Sequence, residues 1–241
     1  MRLYIGTSGY AYGAWKGTFY PDGISGNEML RFYTRHFNTV EINNTFYRMP
    51  KPENIAVWLS AVPSGFLFSV KVPRRITHRK TFDTAGPDVA HFLKVVNTFG
   101  LKLGAILFQF PKTVAPDPGR LEIILRHVSP EHPCAFEFRS ALPPGKEMRD
   151  ILAAKGAVLC MSDTDENPQP GIAGEASWGY LRLRRSDYSE SDLKKWHEMI
   201  IAQKWDRAFV FFKHEETGRA PRLAMDLEKI FREKTLPDRD A

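Results

Sequence analysis

Two cysteines, Cys134 and Cys160, in 241 residues are too few for a disulfide framework or a zinc signature. Both fall in predicted strands, where a small buried hydrophobe is expected. No apolar run approaches the roughly 20 residues that span a bilayer, so no membrane partner is expected. The segment MRLYIGTSGYAYG lacks the cationic start and long apolar stretch of a signal peptide, and the expectation is a reduced, cytoplasmic protein. There is no GxxxxGK[ST] and no GxGxxG, which argues against nucleotide-triphosphate hydrolysis and dinucleotide redox chemistry. No HExxH or other spaced ligand motif marks a metal, and no cofactor is identified. No composition break or linker divides the chain. A single domain over residues 1–241 is expected, with residues 236–241 as a flexible tail. Oligomeric state is not encoded.

What is present is ordinary in amount, with 43% hydrophobic and 26% charged residues, as in a globular protein. The net charge of +6 favours an anionic partner: nucleic acid, a phosphorylated metabolite or an acidic surface.

Short β-rich runs alternate with segments of helical period. Strands are predicted over residues 3–9, 39–44, 66–73, 103–111, 134–139, 157–163, 179–184 and 208–214. Helices are predicted over 27–37, 52–62, 87–100, 119–128, 145–156, 189–205 and 218–234, so only the sixth strand lacks one. Ser189 and Asp192 form a capping-box pattern at one helix start. Eight strand–helix units in about 250 residues predict an α/β fold, a parallel eight-stranded (β/α)8 TIM-type barrel, with an open doubly wound sheet as the competing architecture.

In such a barrel the site lies at the C-terminal strand ends. The predicted ends carry Thr7 and Ser8, Glu41 and Asn43, Lys71, Gln109, Glu137 and Arg139, Asp163, Arg182 and Arg184, then Lys213 and His214. Residues two apart on a strand share a face, so Glu41 pairs with Asn43, Glu137 with Arg139, and Arg182 with Arg184. Some of these groups could serve only as internal ion pairs. A whole ring of them is a poor route to stability and fits a ligand site better.

GTSGYAYGAWKGTFYP, FNTVEINNTFYRMP, GFLFSVKVPRRITHRK, KLGAILFQFP and AFEFRS occur in that order between residue 3 and about 140. Together they resemble the YecE-like family, domain of unknown function 72. The resemblance implies a TIM-type barrel and supplies no settled activity. The later half departs from the family pattern. SALPPGK replaces a His-Pro-Ser-Trp run, Arg184 stands where histidine is usual, and Lys213 and His214 stand where amides are expected.

Lys71, Arg139, Arg182 and Arg184 at the strand ends, with Arg74, Arg75, Arg79 and Lys80 on the following loop, favour a phosphate or other anion. Aromatic residues of the first two loops can stack on bases or sugars, with Tyr10 and Trp15 expected to touch ligand and Phe19 and Phe46 to pack as a lid. Ser8, Asn43, Gln109 and Lys213 complete the expected binding set. Glu41 and Glu137 are the acid–base candidates, followed by His78 and Asp163. The expected function is binding of a phosphorylated ligand or nucleic acid, with possible hydrolysis of a phosphoester. A non-catalytic anion or nucleic-acid binder is the rival, and a carbohydrate-active hydrolase with Glu41 and Glu137 as its carboxylate pair is the third reading. Metal-assisted hydrolysis is disfavoured by the surrounding cations.

Overall fold

The apolar runs form strands, and every ladder between them is parallel, as alternating helices require. A computed structural model of the chain describes residues 1–140, 143–168, 171 and 176–235. The strands are β1 (Arg2–Thr7), β2 (Thr39–Ile42), β3 (Leu67–Lys71), β4 (Leu103–Phe110), β5 (Cys134–Phe138), β6 (Val158–Leu159), β7 (Met161–Ser162), β8 (Trp178–Leu183) and β9 (Arg207–Phe212). The helices are α1 (Gly26–Tyr33), α2 (Asn44–Tyr47), α3 (Pro52–Ser60), α4 (Arg74–Thr77), α5 (Gly86–Val96), α6 (Pro118–Leu125), α7 (Lys146–Ala154), α8 (Glu190–Ile201) and α9 (Arg219–Thr235). The predicted tail, 236–241, lies outside the described residues.

The expected closed eight-stranded barrel is not what forms. Two separate parallel sheets do, one of five strands in the order β2-β3-β4-β5-β6 and one of four in the order β1-β9-β8-β7. Two breaks account for the difference. The sixth predicted strand splits at Cys160: Val158 and Leu159 pair with β5, whereas Met161 and Ser162 pair with Leu181 and Arg182 of β8. On the other side β1 and β2 share only an isolated bridge, Ser8 to Glu41, and the Gly9 N–H to Glu41 carbonyl bond at 2.8 Å. The single open sheet weighed as the alternative does not form either.

The two sheets enclose a small inner core. Ala105, Leu107 and Ala135 of the five-stranded sheet meet Trp178, Tyr180, Phe209 and Phe211 of the other. Small residues opposite aromatic ones keep the layers close, as close packing demands. The outer faces bury against the helices, for example Phe92 and Val96 of α5, Trp196 of α8 and Leu227 of α9. The capping box at Ser189 and Asp192 forms as predicted, and Ser25 and Glu28 make a second one at α1. Two single-turn helices were not foreseen. α2 begins where a strand was expected to continue, and Thr45 inside it donates to the Ile42 and Lys71 carbonyls, fixing the ends of β2 and β3 together. α4 opens after Pro73, whose fixed φ suits a helix start.

Candidate functional site

The alternation rule brings the strand-end residues of three strands to one place. Glu41 on β2, Glu137 on β5 and Arg182 on β8 are all buried, at 0%, 2% and 1% exposure. Arg182 Nη2 donates to Glu41 Oε1 at 2.9 Å, and Nη1 donates to Glu137 Oε2 at 2.5 Å. One guanidinium thus joins carboxylates of two strands of the opposite sheet across the gap between the sheets. Glu41 also accepts from Ser8 Oγ and from Tyr180 OH, each at 2.7 Å. Tyr180 has one proton to give, so Ser69 Oγ, 2.7 Å away, donates to the phenol oxygen. Glu137 Oε1 takes Arg139 Nε at 3.1 Å and faces Arg184 Nη1 at 3.5 Å.

The electrostatics follow from this geometry. Burial pushes the Glu41 carboxyl up, but Arg182 and the Ser8 and Tyr180 donors outweigh it and hold it below its usual value. Burial acts likewise on Glu137, and the three guanidinium groups of Arg182, Arg139 and Arg184 overcome it, bringing the carboxyl down to about 2. Tyr180 is raised by burial and by Glu41, so it remains a donor. Removing that donor is measurable. Tyr180→Phe should lower stability by about 1–3 kcal/mol, the usual cost of depriving a buried acceptor of its partner. An unchanged urea midpoint would show that the hydroxyl contributes nothing net.

Lys71 ends β3 beside this cluster and is 7% exposed. Its ammonium has no hydrogen-bond or ion-pair partner among the described residues and rests over the Phe46 ring, 3.9 Å from the centroid. Burial and the repulsion of Arg182 bring it down to about 7, against the pull of Glu41 and Glu137. His78 packs edge-on against the same ring at 5.1 Å and is lowered by burial and by Lys71, Arg74 and Arg139. Lys213 approaches Glu215 at 3.6 Å and is lowered by burial. Gln109 lies opposite Glu137 in the ladder and is buried. The Asn43 side-chain oxygen is buried with no partner among the described residues and borders the Tyr10–Tyr12 turn.

A cavity of about 860 Å³ opens over the split between β6 and β7, with Lys112, Glu137, Arg139, Cys160, Ser162 and Arg184 in its wall. Arg184 Nε is buried there without a partner among the described residues.

Other predicted residues stand elsewhere. Asp163 turns away from the cluster, because it follows Ser162 and adjacent strand residues face opposite sides. Its carboxylate accepts from Tyr188 OH at 2.7 Å and from Arg184 N at 2.6 Å, which ties the end of β7 to the segment before α8. Trp15, expected at the ligand, is fully buried between Tyr12, Phe19 and Tyr20, so its indole fills core space. Tyr10 packs on Tyr33 and is half-buried. Phe46, expected to be a lid, instead carries Lys71. Ser69 and Tyr180 were not foreseen. Counting back two residues from Lys71 and from Arg182 would have reached both.

Comparison with known proteins follows the same lines. The family model described as "Protein of unknown function DUF72" matches residues 4–240. The UPF0759 protein YunF of Bacillus subtilis is 29% identical over 262 residues, covering 90% of each chain. The UPF0759 protein YecE of Escherichia coli is 32% identical over 114 residues, which is 47% of this chain but only 39% of that protein's length. Crystal structures of DUF72 family proteins share the fold: one from Thermotoga maritima at a TM-score of 0.80 and 22% identity, covering 96% of this chain and 100% of that one. One from Enterococcus faecalis has a TM-score of 0.74 and 21% identity, covering 96% and 98%. The resemblance carried by the first 140 residues therefore extends over nearly the whole chain, which belongs to the DUF72 family.

Proposed function

We propose that the chain binds a phosphorylated small molecule at the strand ends, with Lys71, Arg139 and Arg184 receiving the anion. The observation that carries this reading is a charge excess. Lys71, Arg139, Arg182 and Arg184 gather around the two carboxylates Glu41 and Glu137, and Lys71 is left with an aromatic face in place of a counter-ion. A cation on a mostly buried side chain with no ion-pair partner among the described residues is costly to hold, and an anion lowers that cost. The neighbouring cavity of about 860 Å³ falls within the roughly 300–1,000 Å³ usual for small-molecule sites, which favours a metabolite over a nucleic-acid strand.

Binding is better supported than hydrolysis of a phosphoester. A general acid must hold a proton at working pH, and a general base must reach its substrate. Glu41 and Glu137 are held ionised by arginines and are almost fully buried. The same locking disfavours a pair of glycosidase carboxylates, one of which needs a raised pKa.

Calorimetric titration with glycerol 3-phosphate tests the reading. Saturable binding is expected, absent for glycerol and weakened by added salt. Arg139→Gln should weaken it about tenfold or more, the worth of one charge-assisted hydrogen bond. No saturable heat, or equal binding by the variant, sinks the proposal.

A further inference from the structure

We infer that Lys71 is a nucleophilic amine that forms an imine with the carbonyl group of a phosphorylated aldehyde or ketone. The inference rests on the anion site just proposed and gives the class of molecule that it takes. Three observations at one strand end support it. First, the Lys71 side chain is fixed rather than free: it is 7% exposed, its base is the end of β3, and Phe46 covers one side of its head at 3.9 Å. Secondly, neither Glu41 nor Glu137 pairs with it, because Arg182 occupies both carboxylates. A lysine that serves stability would sit on a carboxylate, and two are close by, already taken. Thirdly, the groups around it are cations as much as anions. Arg182 and Arg139 act on it together with Glu41 and Glu137, and His78 lies on the other contact of Phe46.

An ammonium on a mostly buried side chain, with no carboxylate paired to it among the described residues, sheds its proton readily. This is the condition under which a lysine becomes a nucleophile near neutral pH. The depression of Lys71 to about 7 agrees with that condition. Were Lys71 only a phosphate-holding point charge, a permanently charged arginine would do the same work without the loss.

The chemistry balances without a co-reactant. The neutral amine lone pair attacks the carbonyl carbon, and the carbonyl oxygen takes the amine proton to give a carbinolamine. The nitrogen lone pair then expels that oxygen as water, which leaves with a second proton. The C–O double bond has become a C–N double bond, and one water is released per imine. The phosphate stays intact and lies on Arg139 and Arg184. No redox change occurs until a hydride donor is added from outside.

The experiment uses the full chain at pH 7.5 with equimolar glycolaldehyde phosphate, then sodium borohydride, followed by intact mass and peptide mapping. One reduced adduct confined to Lys71 is expected, formed at least tenfold faster than on any surface lysine. Glycerol 3-phosphate should compete with it. Lys71→Arg should abolish the adduct while retaining the thermal transition of the parent. The rate should level off above about pH 7–8, because the amine is then already neutral, whereas surface lysines continue to accelerate toward pH 10. If glycerol 3-phosphate binds but adducts are spread over surface lysines, the imine inference fails and the anion site stands. If Lys71 reacts with glycolaldehyde itself while glycerol 3-phosphate does not bind, the nucleophile stands and the anion site fails.

Discussion

Replacing Arg182 with methionine should destabilise the protein by about 3–5 kcal/mol, the cost of leaving buried charge without its partner. For a chain of this size that corresponds to a fall of roughly 6–20 °C in Tm. The reason is the geometry of the cluster. Among the described residues Arg182 alone bonds to both Glu41 and Glu137, and it is contributed by the sheet opposite to both. Glu137 retains Arg139 and Arg184 after the change, but among the described residues Glu41 retains only Ser8 and Tyr180 as direct donors. A methionine fills the volume, so the loss is electrostatic and not a cavity effect. Urea unfolding of Arg182→Met beside Arg182→Met/Glu41→Gln separates the two causes. The double variant should recover part of the loss, because the uncompensated carboxylate is gone. A single variant within 1 kcal/mol of the parent would show that water or a rearranged side chain already compensates both carboxylates.

The pH dependence gives a second reading of the same variant. In the parent, Glu137 ionises at about 2 when folded and at about 4.3 when unfolded. A depressed carboxyl stabilises the fold above the unfolded pKa, and that contribution disappears as pH falls toward the folded value. Parental stability should therefore drop between roughly pH 5 and pH 2. Without Arg182, burial dominates at Glu41 and raises its carboxyl above the unfolded value, which reverses the sign. Its neutral form then favours the fold, so the variant gains on the parent as pH decreases. The stability gap between the two, widest at neutral pH, should close on acidification. A gap independent of pH would mean that packing, not charge, accounts for the difference.

The alternation of strands and helices was legible because each is written in local periodicity. All eight apolar runs became strand. The convergence of Glu41, Glu137, Arg139, Arg182 and Arg184 was legible as well, since a parallel strand places residues two apart on one face wherever its neighbours lie. Closure was not. Whether β1 bonds to β2 over its length depends on the register between segments some 35 residues apart, and Ser8 and Glu41 have the same local sequence whether they form one bridge or a full ladder. The split at Cys160 is of the same kind: AVLCMSD reads as one strand, and only its partners, Phe136 on one side and Leu181 on the other, divide it. Asp163 misled because the strand end was assigned one residue too far and the parity of the face changed. Trp15 misled because an aromatic residue in a loop has the same composition whether it covers a ligand or the core. Ser69 and Tyr180 were missed because they carry no charge within apolar runs, yet they complete the shell of Glu41.

The seam between the two sheets makes Gly6 the most sensitive backbone position that the structure identifies near the site. A Cβ built on Gly6 would lie 2.3 Å from the Thr39 carbonyl oxygen and 2.8 Å from Tyr33 OH. Neither atom can yield. Tyr33 OH donates to that same carbonyl at 3.1 Å and accepts from Thr7 N at 2.8 Å, and it is the hydroxyl that links β1 to β2 beneath the Ser8–Glu41 bridge. Gly6→Ala must therefore push β1 away from β2 or expel the phenol, and either change leaves buried polar groups unpaired. Overpacking costs about 1–3 kcal/mol and an unsatisfied buried group a similar amount, so a loss of about 3 kcal/mol or more is expected in urea unfolding. Gly26, the first residue of α1, has nothing within 4 Å of its added Cβ. Gly26→Ala should change stability by no more than about 1 kcal/mol, in the favourable direction, because alanine suits a helix and restricts the unfolded chain. The consequence for the site is as direct as that for stability. Glu41 receives Ser8 Oγ and the Gly9 N–H across this seam, so a displaced β1 withdraws a donor from the carboxylate that Arg182 holds. The Gly6 variant should accordingly bind glycerol 3-phosphate more weakly even at temperatures where it remains folded, whereas the Gly26 variant should bind as the parent does. Equal binding by both would show that the ends of β3, β5 and β8 hold the cationic cluster without help from β1.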